Sequence, residues 1–325
     1  MNKTKKPADR LIFHVDVNSA FLSWESARRM KEGLPDLRDI PACIGGDPAK
    51  RTGIVVAKSI PAKKCGVQTG EPVAMALRKC PNMVIVPSDF DLYVKCSRAF
   101  KKICASYTPV MESFSIDEVF LDMTGTSLLY PDPIAAAHEI KDRISDELGF
   151  TVNVGISTNK LLAKMASDFE KPNKVHTLFP EEIPAKMWPL PVRELLFLGK
   201  ASEKKLTEAG IRTIGDLAHA WETDIQTLIG NKNGHQLYQY ARGIDDSPVK
   251  AQPDEAKGFS AETTLTRTSS LSNRSTRFFS PSVTSWPPAC VGKRKMHLRF
   301  HNLPHPRFPK PLTPDKTSKC DRYHR

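Results

Sequence analysis

Apolar and polar positions along the first half of the chain alternate between the periods of strands and helices. The run LIFHVDV (11–17) is apolar at five of its seven positions, which predicts a buried strand that ends at Asp16 and Val17. Helical periodicity follows over residues 19–30. Further strands are predicted within 40–59 (two, joined by a Gly-Gly-Asp turn), 81–89, 114–122 and 151–157, and further helices over 91–107, 133–149 and 159–169. This order predicts an α/β or α+β domain over roughly residues 1–170.

The pattern changes twice in the second half. After a Pro-punctuated connection (171–184), residues 192–220 predict two short helices around Leu198-Gly199-Lys200 and a third helix after Gly210. Residues 243–257 are acidic and poor in large apolar residues, which is typical of a linker, and 258–266 predict one further strand. Residues 267–325 contain eight prolines, eight serines, no glutamate and no isoleucine, so we expect a mostly disordered tail.

Charge is distributed unevenly along the 325 residues. The net charge is +12, but residues 266–325 alone hold 13 basic and 2 acidic residues, which leaves 35 basic and 34 acidic residues in the rest. The main body is therefore nearly neutral, and a nucleic-acid site there must be a local patch. Seven cysteines without a C-x-x-C pair, and no apolar run near the ~18 residues of a membrane span, lead us to expect a cytoplasmic protein with no membrane segment.

Three carboxylates form the first candidate site. Asp16 ends one predicted strand, and Asp117 and Glu118 lie within another, so the three can meet if the strands are neighbours. Hard oxygen ligands of this kind suit Mg²⁺, and two such ions about 4 Å apart activate a 3′-hydroxyl and stabilise a leaving pyrophosphate. Adjacent residues of a regular strand face opposite sides, so the backbone must bend at Asp117 and Glu118. The alternative is a turn with solvent-exposed acids unrelated to Asp16.

Two further candidates involve phosphate. The turn around Gly199 and Lys200, with Lys204 nearby, can offer backbone N–H groups and cations to a DNA phosphate; the alternative is an ordinary helical hairpin. Lys171 can contact a polyphosphate; the alternative is a cation at a helix C-terminus, where positive charge is favoured anyway.

Five segments together resemble the Y-family (translesion) DNA polymerases of the bacterial DNA polymerase IV type. They occur in family order and are HVDVNSAF (14–21), GIVVAKSIPAKKCGVQTGEP (53–72), SIDEVFLDMTG (115–125), VGISTNKLLAKMASDFEKPN (154–173) and PVRELLFLGKASEKKLTEAGI (191–211). The resemblance implies an α+β right-hand fold: a βαββαβ-like palm, small fingers, a helix-hairpin-helix thumb and a little finger. The implied divisions are palm 1–30 and 82–170, fingers 31–81, thumb 171–243, linker 244–257 and an incomplete little-finger region 258–325.

The same resemblance implies roles for individual residues. Asp16, Asp117, Glu118 and the backbone carbonyl of Val17 would bind two Mg²⁺ ions. Phe21 matches a ring that excludes the ribose 2′-hydroxyl, and Lys171 matches a triphosphate contact. Where many relatives carry Tyr and Arg toward the triphosphate, this chain has Ile60 and Lys63; Lys63 keeps the charge without the bidentate fork of arginine.

The implied function is template-directed transfer of a deoxynucleotide from a deoxynucleoside triphosphate (dNTP) to a primer 3′-hydroxyl. The implied partners are primer-template DNA and dNTPs, and we expect a monomer. A sliding clamp is a further candidate partner, although the C-terminal sequence CDRYHR contains no evident clamp-binding peptide. Alternatives are a DNA-binding protein with little turnover and a palm-fold nucleotide cyclase.

The C-terminal segment departs from the family pattern. The resemblance implies about a hundred further residues of sheet and helix, whereas the pattern dissolves near residue 267. We therefore hypothesise that a reading-frame change produced residues 267–325. A shifted frame that restores β-patterned sequence in the coding DNA would support this hypothesis, and its absence would refute it.

Overall fold

A computed structural model describes residues 10–47 and 53–252 of the chain. Its main sheet has five strands in the order β5-β6-β1-β7-β8. The strands are β1 (Ile12–Val17), β5 (Met111–Ser113), β6 (Glu118–Asp122), β7 (Val152–Ser157) and β8 (Val175–Thr177). The pairs β5–β6, β6–β1 and β1–β7 are antiparallel, and β7–β8 is parallel. The two strands that carry the candidate carboxylates, β1 and β6, are therefore direct neighbours, which sequence order alone did not establish.

Helices cover both faces of the main sheet. Phe13, Val15 and Val17 of β1 join a core with α1 (Ala20–Lys31), α4 (Phe90–Ala105) and α5 (Pro133–Leu148). The alternate β1 residues point to the opposite face, where α6 (Lys160–Asp168) packs on β1 and β7. Both faces are buried, but only the face with Phe13, Val15 and Val17 is apolar throughout. The α6 face carries the polar residues His14 and Asp16, whose side chains contact Ser167 and Lys171.

Gly155 of β7 permits the close approach of α6. A Cβ atom at this position would lie 2.0 Å from the carbonyl oxygen of Ala163 and 2.5 Å from the backbone nitrogen of Ser167. Any larger residue would therefore collide with the helix backbone. The distance between the sheet and α6, and with it the position of every α6 side chain, depends on this glycine.

A smaller sheet and a helical region complete the described fold. The smaller sheet has the order β3-β2-β4, formed by β2 (Ala42–Gly45), β3 (Val55–Lys58) and β4 (Val84–Val86), and it packs with α2 (Ile60–Lys64) and α3 (Val73–Lys79). The helical region contains α7 (Lys200–Glu208), α8 (Ile214–His219), α9 (Glu222–Ile229) and α10 (Asn231–Ala241). Its core includes α6 residues Leu161, Leu162 and Met165, so α6 joins the helical region to the main sheet.

Two predicted elements differ from the structure. The run 114–122 is not one strand, because residues 115–117 form a bend and β6 begins only at Glu118. The predicted helix before Gly199 is only a three-residue 3₁₀ turn, Val192–Glu194. The predicted strand at 258–266 and the predicted disordered tail at 267–325 lie outside the described residues.

The first part of the predicted linker packs on the main sheet. Arg10 donates a hydrogen bond to the carbonyl of Ser247 (2.9 Å), and the backbone N–H of Lys250 donates to Glu112 of β5 (2.8 Å). Val249 is buried in a cluster with Phe120 of β6. Residues 244–252 therefore have defined contacts despite their polar composition.

Candidate active site

Asp16 and Glu118 form a cross-strand pair at the end of β1. The antiparallel register places their Cα atoms directly opposite each other. Directly opposite residues project to the same face of a sheet, so both carboxylates lie on the face covered by α6. Two like charges in a half-buried position repel each other unless cations lie beside them.

Lys171 provides the cation beside Asp16. Its ammonium forms an ion pair with Asp16 Oδ2 and a second one with Asp168 Oδ1 (2.8 Å). Burial raises the pKa of Asp16 to about 6, and the nearby Lys171 only partly opposes this effect. The Asp16 side chain is 8% exposed and that of Lys171 is 37% exposed, so the pair joins a buried carboxylate to a solvent-accessible ammonium.

Lys164 provides the cation beside Glu118. Lys164 Nζ donates to Glu118 Oε2 at 2.9 Å and lies over the ring of Phe114. Although burial alone raises the pKa of Glu118, its contacts with His14 and Lys164 lower it to about 2. Neither lysine can be placed beside its carboxylate from sequence, because each contact depends on how α6 packs against the sheet.

His14 contributes a further buried contact to Glu118. The ring has no exposed surface; its Nδ1 lies 2.8 Å from Ser167 Oγ and its Nε2 lies 3.4 Å from Glu118 Oε2. Burial lowers the pKa of His14, which favours the neutral ring. The Ser167 hydroxyl also lies 2.8 Å from the Lys164 carbonyl, so its one proton goes either to that carbonyl or to His14 Nδ1, and only the second choice leaves an N–H on Nε2 toward Glu118. Sequence reasoning assigned His14 no role, but its period-2 spacing from Asp16 places the two on one face.

Asp117 lies in the bend that precedes β6. Its carboxylate accepts a hydrogen bond from Ser115 Oγ (2.5 Å), and its backbone carbonyl accepts one from the N–H of Val17 (3.0 Å). The second contact fixes the bend against the end of β1. The backbone thus bends where the sequence analysis required a bend, and Asp117 borders a cavity next to the Asp16–Glu118 pair.

The carboxylates of Asp16, Asp117 and Glu118 do not point to one common position where a metal ion could bind all three. Within residues 10–47 and 53–252, no group of three His, Cys, Asp or Glu side chains has the geometry to hold a metal ion. Asp16 and Glu118 each contact a lysine, and Asp117 contacts Ser115. The donor set nonetheless fits Mg²⁺, because hard carboxylate oxygens are its preferred ligands and ammonium groups already occupy positions where cations are favoured.

The adjacent cavity has a volume of about 520 Å³. Phe21, Lys63, Asp117 and Lys171 line it together with backbone and side chains of residues 18–20, 56–60, 69 and 172. The Phe21 ring is held by Tyr93 and Trp24, with centroid distances of 4.7 and 5.8 Å. The fold therefore brings the predicted nucleotide-contacting residues to one cavity beside the carboxylates.

Gly199, Lys200 and Lys204 lie elsewhere, on the helical region. Gly199 precedes α7, and a Cβ added to it would meet no atom within 4 Å. Lys200 and Lys204 are exposed, and Lys204 Nζ lies 3.8 Å from Glu208. The first turn of α7 therefore offers an open helix N-terminus beside exposed lysines, an arrangement suited to a phosphate.

Two family models match the chain. One is described as the impB/mucB/samB family and covers residues 15–168; the other is described as DNA polymerase-iota, thumb domain, and covers residues 197–245. Among solved structures, a Y-family DNA polymerase chimera of Dbh and Dpo4 matches with a TM-score of 0.67 and 25% identity over 74% of this chain and 69% of that chain. DinB from Sulfolobus solfataricus matches with a TM-score of 0.66 at the same identity and coverage.

Curated relatives named DNA polymerase IV are more similar in sequence. The relative from Clostridium acetobutylicum is 49% identical over 79% of this chain, and the one from Acetivibrio thermocellus is 39% identical over 90% of this chain and 71% of its own length. The chain belongs to the Y-family of DNA polymerases. This confirms the family resemblance and the right-hand α+β fold predicted from the sequence.

The match covers only part of the length of some relatives. The chain spans 64% of the Clostridium acetobutylicum relative and 63% of the one from Alkaliphilus oremlandii. In the described part of this Y-family chain, no helix is both long enough and apolar enough to cross a membrane.

Proposed function

We propose that the chain carries out template-directed DNA synthesis of the lesion-bypass type. The reaction joins a dNTP to a primer 3′-hydroxyl and releases pyrophosphate. The observation that carries the proposal is the pairing of Asp16 with Glu118 beside a cavity lined by Asp117, Phe21 and Lys171. A dNTP needs all of these features together: oxygen ligands for its metals, a cation for its phosphates and a wall against its sugar.

In this proposal Asp16, Asp117, Glu118 and the Val17 carbonyl hold two Mg²⁺ ions. When bound, such ions lower the pKa of the 3′-hydroxyl and neutralise charge on the leaving pyrophosphate. The protein fixes the ligands through the β1–β6 register and through the Val17–Asp117 hydrogen bond. Because Asp16 and Glu118 lie on neighbouring buried strands, their backbones have little freedom before substrate arrives, and metal binding requires only that their carboxylates exchange lysine partners for the ions.

Phe21, Lys63 and Lys171 select and hold the nucleotide. Tyr93 and Trp24 prevent the Phe21 ring from retreating, so a ribose 2′-hydroxyl would collide with it. Lys63 is exposed at the cavity wall and supplies charge to the phosphates in place of arginine. Lys171 borders the same cavity, and its ammonium can exchange its contact with Asp16 for one with a phosphate oxygen.

The remaining assignments belong to the same proposal. The main sheet serves as palm, the smaller sheet as fingers, and α7–α10 as the thumb, whose Gly199, Lys200 and Lys204 contact the DNA backbone. Primer-template DNA is the macromolecular substrate, a sliding clamp is a further partner, and the active form is a cytoplasmic monomer. The match of residues 197–245 to a polymerase thumb argues against a nucleotide cyclase.

Primer extension with Mg²⁺ tests the proposal. The parent chain is compared with Asp117→Ala/Glu118→Ala, and the matched control is Asp146→Ala/Glu147→Ala, an adjacent acidic pair on the exposed side of α5. We expect at least a ~1000-fold loss of extension for the first pair and no loss for the second. Equal activity of all three proteins would refute the two-metal assignment. DNA binding without extension by the parent would instead favour a DNA-binding protein with little turnover.

A further inference from the structure

Lys164 and Lys171 differ in how easily their ammonium groups can move away from Glu118 and Asp16. Lys164 is 11% exposed and is enclosed by Glu118 and the ring of Phe114. Lys171 is 37% exposed and borders the cavity. The ammonium of Lys171 can therefore move into the cavity by side-chain rotation, whereas that of Lys164 cannot do so without disturbing packed groups.

The backbone beside Lys171 is held while its side chain remains accessible. The N–H of Asn173 donates to Asn18 Oδ1 (2.9 Å), and the N–H of Lys174 donates to Asn153 Oδ1 (3.2 Å). Both acceptors lie on or beside the main sheet. A change of partner by Lys171 therefore requires no movement of the loop that carries it.

Asp16 needs a cation in either state. Its carboxylate is 8% exposed, and a buried carboxylate without a partner is strongly unfavourable. Because the Lys171 ammonium already contacts Asp16 Oδ2, a metal ion that binds Asp16 competes with it for that oxygen. Any group that draws Lys171 away frees the oxygen for the metal.

We infer that Lys171 is an internal counter-cation for Asp16, and that the triphosphate of an incoming nucleotide removes it, so that metal binds Asp16 tightly only together with nucleotide. This inference rests on the proposed function for the identity of the nucleotide. Without nucleotide the site is neutralised by lysine and binds divalent metal weakly. With nucleotide the same lysine stabilises the phosphates, and Asp16 accepts the metal. By linkage, metal strengthens nucleotide binding by the same factor.

Binding of Mn²⁺ to the full chain, measured by electron paramagnetic resonance, tests this inference. The relevant site is the one lost in Asp16→Asn. Affinities are measured without nucleotide and with a non-hydrolysable dNTP analogue, for the parent, Lys171→Gln and Lys171→Arg. The matched control is Lys174→Gln, which removes an exposed lysine paired with Glu170 at 3.5 Å.

Without nucleotide we expect Lys171→Gln to bind Mn²⁺ about threefold to tenfold more tightly than the parent. Lys171→Arg and Lys174→Gln should match the parent. The gain in Mn²⁺ affinity caused by the analogue should shrink in Lys171→Gln. Equal Mn²⁺ affinity of Lys171→Gln and the parent without nucleotide would overturn the inference.

A double-mutant cycle separates ion pairing from simple charge repulsion. Thermal unfolding in EDTA of Asp16→Asn, Lys171→Gln and the double variant should show favourable coupling between the two side chains. Coupling should disappear when Mn²⁺ and the analogue are present. Additive effects in EDTA would also overturn the inference. None of these readouts requires primer extension, so failure of the proposed function would be recognised separately.

Discussion

The main sheet and the hairpin turn at the start of α7 (Gly199, Lys200 and Lys204) carry charge in opposite ways. In the sheet, Asp16 and Glu118 are each held by a lysine in a half-buried site. At the hairpin, Lys200 and Lys204 are exposed, and Gly199 leaves open space in front of the α7 N-terminus. Under the proposed function, the sheet would hold a small number of atoms for chemistry, whereas the hairpin would present a charged surface to the DNA backbone.

Gly155 in the main sheet and Gly199 at the hairpin differ in the same way, and substituting them should give the largest difference in stability. Gly155→Ala forces a Cβ into the backbone of α6, so we expect the free energy of unfolding to fall by about 3 kcal/mol. Gly199→Ala, its matched control, should leave stability unchanged. Thermal and denaturant unfolding measure both. A stable Gly155→Ala protein would show that α6 is not tightly placed on the sheet.

Substitution of Phe21 tests whether its ring forms a rigid wall of the cavity. Phe21→Ala removes the ring that Tyr93 holds, so we expect discrimination against ribonucleotides to fall by about tenfold to 100-fold. Single-nucleotide incorporation of a dNTP and its ribonucleotide counterpart gives the ratio. Phe90→Ala, which removes a neighbouring exposed ring, is the control. Unchanged discrimination in Phe21→Ala would remove the wall assignment.

Within the sheet, the two paired carboxylates should differ in their effect on stability. Glu118→Gln should lower the free energy of unfolding at pH 7 by about 2 kcal/mol, because it leaves Lys164 without its ionised partner. Asp16→Asn should leave that free energy unchanged or raise it, because burial opposes the Asp16 charge. Unfolding in urea without divalent metal measures both.

The pH dependence of these two carboxylates has opposite signs. Glu118 has a lowered pKa, about 2 against 4.5, so its contribution is present above pH 4.5 and is lost as the pH falls toward 2. Asp16 has a raised pKa, about 6 against 3.8, so its ionisation reduces stability as the pH rises from 3.8 to 6. Unfolding curves of Asp16→Asn should lack the second effect. An identical pH profile for this variant and the parent would contradict the assignment.

The hairpin lysines should give the smallest effects. Lys200→Gln and Lys204→Gln should each weaken primer-template binding about twofold to fivefold. Each should also make the slope of log binding constant against log salt concentration shallower by about one. Fluorescence anisotropy at several salt concentrations measures both quantities, and Lys186→Gln is a control whose lysine is engaged by Thr177 and Glu182. A salt slope that matches the parent would place the DNA contact elsewhere.

Much of the local structure follows from sequence alone. The run LIFHVDV predicts the strand β1, although its polar positions 14 and 16 do not reveal that both faces are buried, and the Asp132 cap with Pro133 explains the start of α5. The family motifs identify Asp16, Asp117 and Glu118 as residues of interest. Boundaries such as the start of β6 were less accessible, because the bend at 115–117 depends on contact between Asp117 and Val17, 100 positions earlier in the chain.

The sequence by itself determined the family, most of the element order over residues 1–170 and the chemical types available at the site. Only the tertiary structure decided that β1 and β6 are neighbours, that Lys171 and Lys164 neutralise Asp16 and Glu118, and that His14 supports Glu118. The physical reason is distance along the chain. Periodicity and motifs record interactions between near residues, whereas a buried charge takes its partner from whichever element the core packs against it.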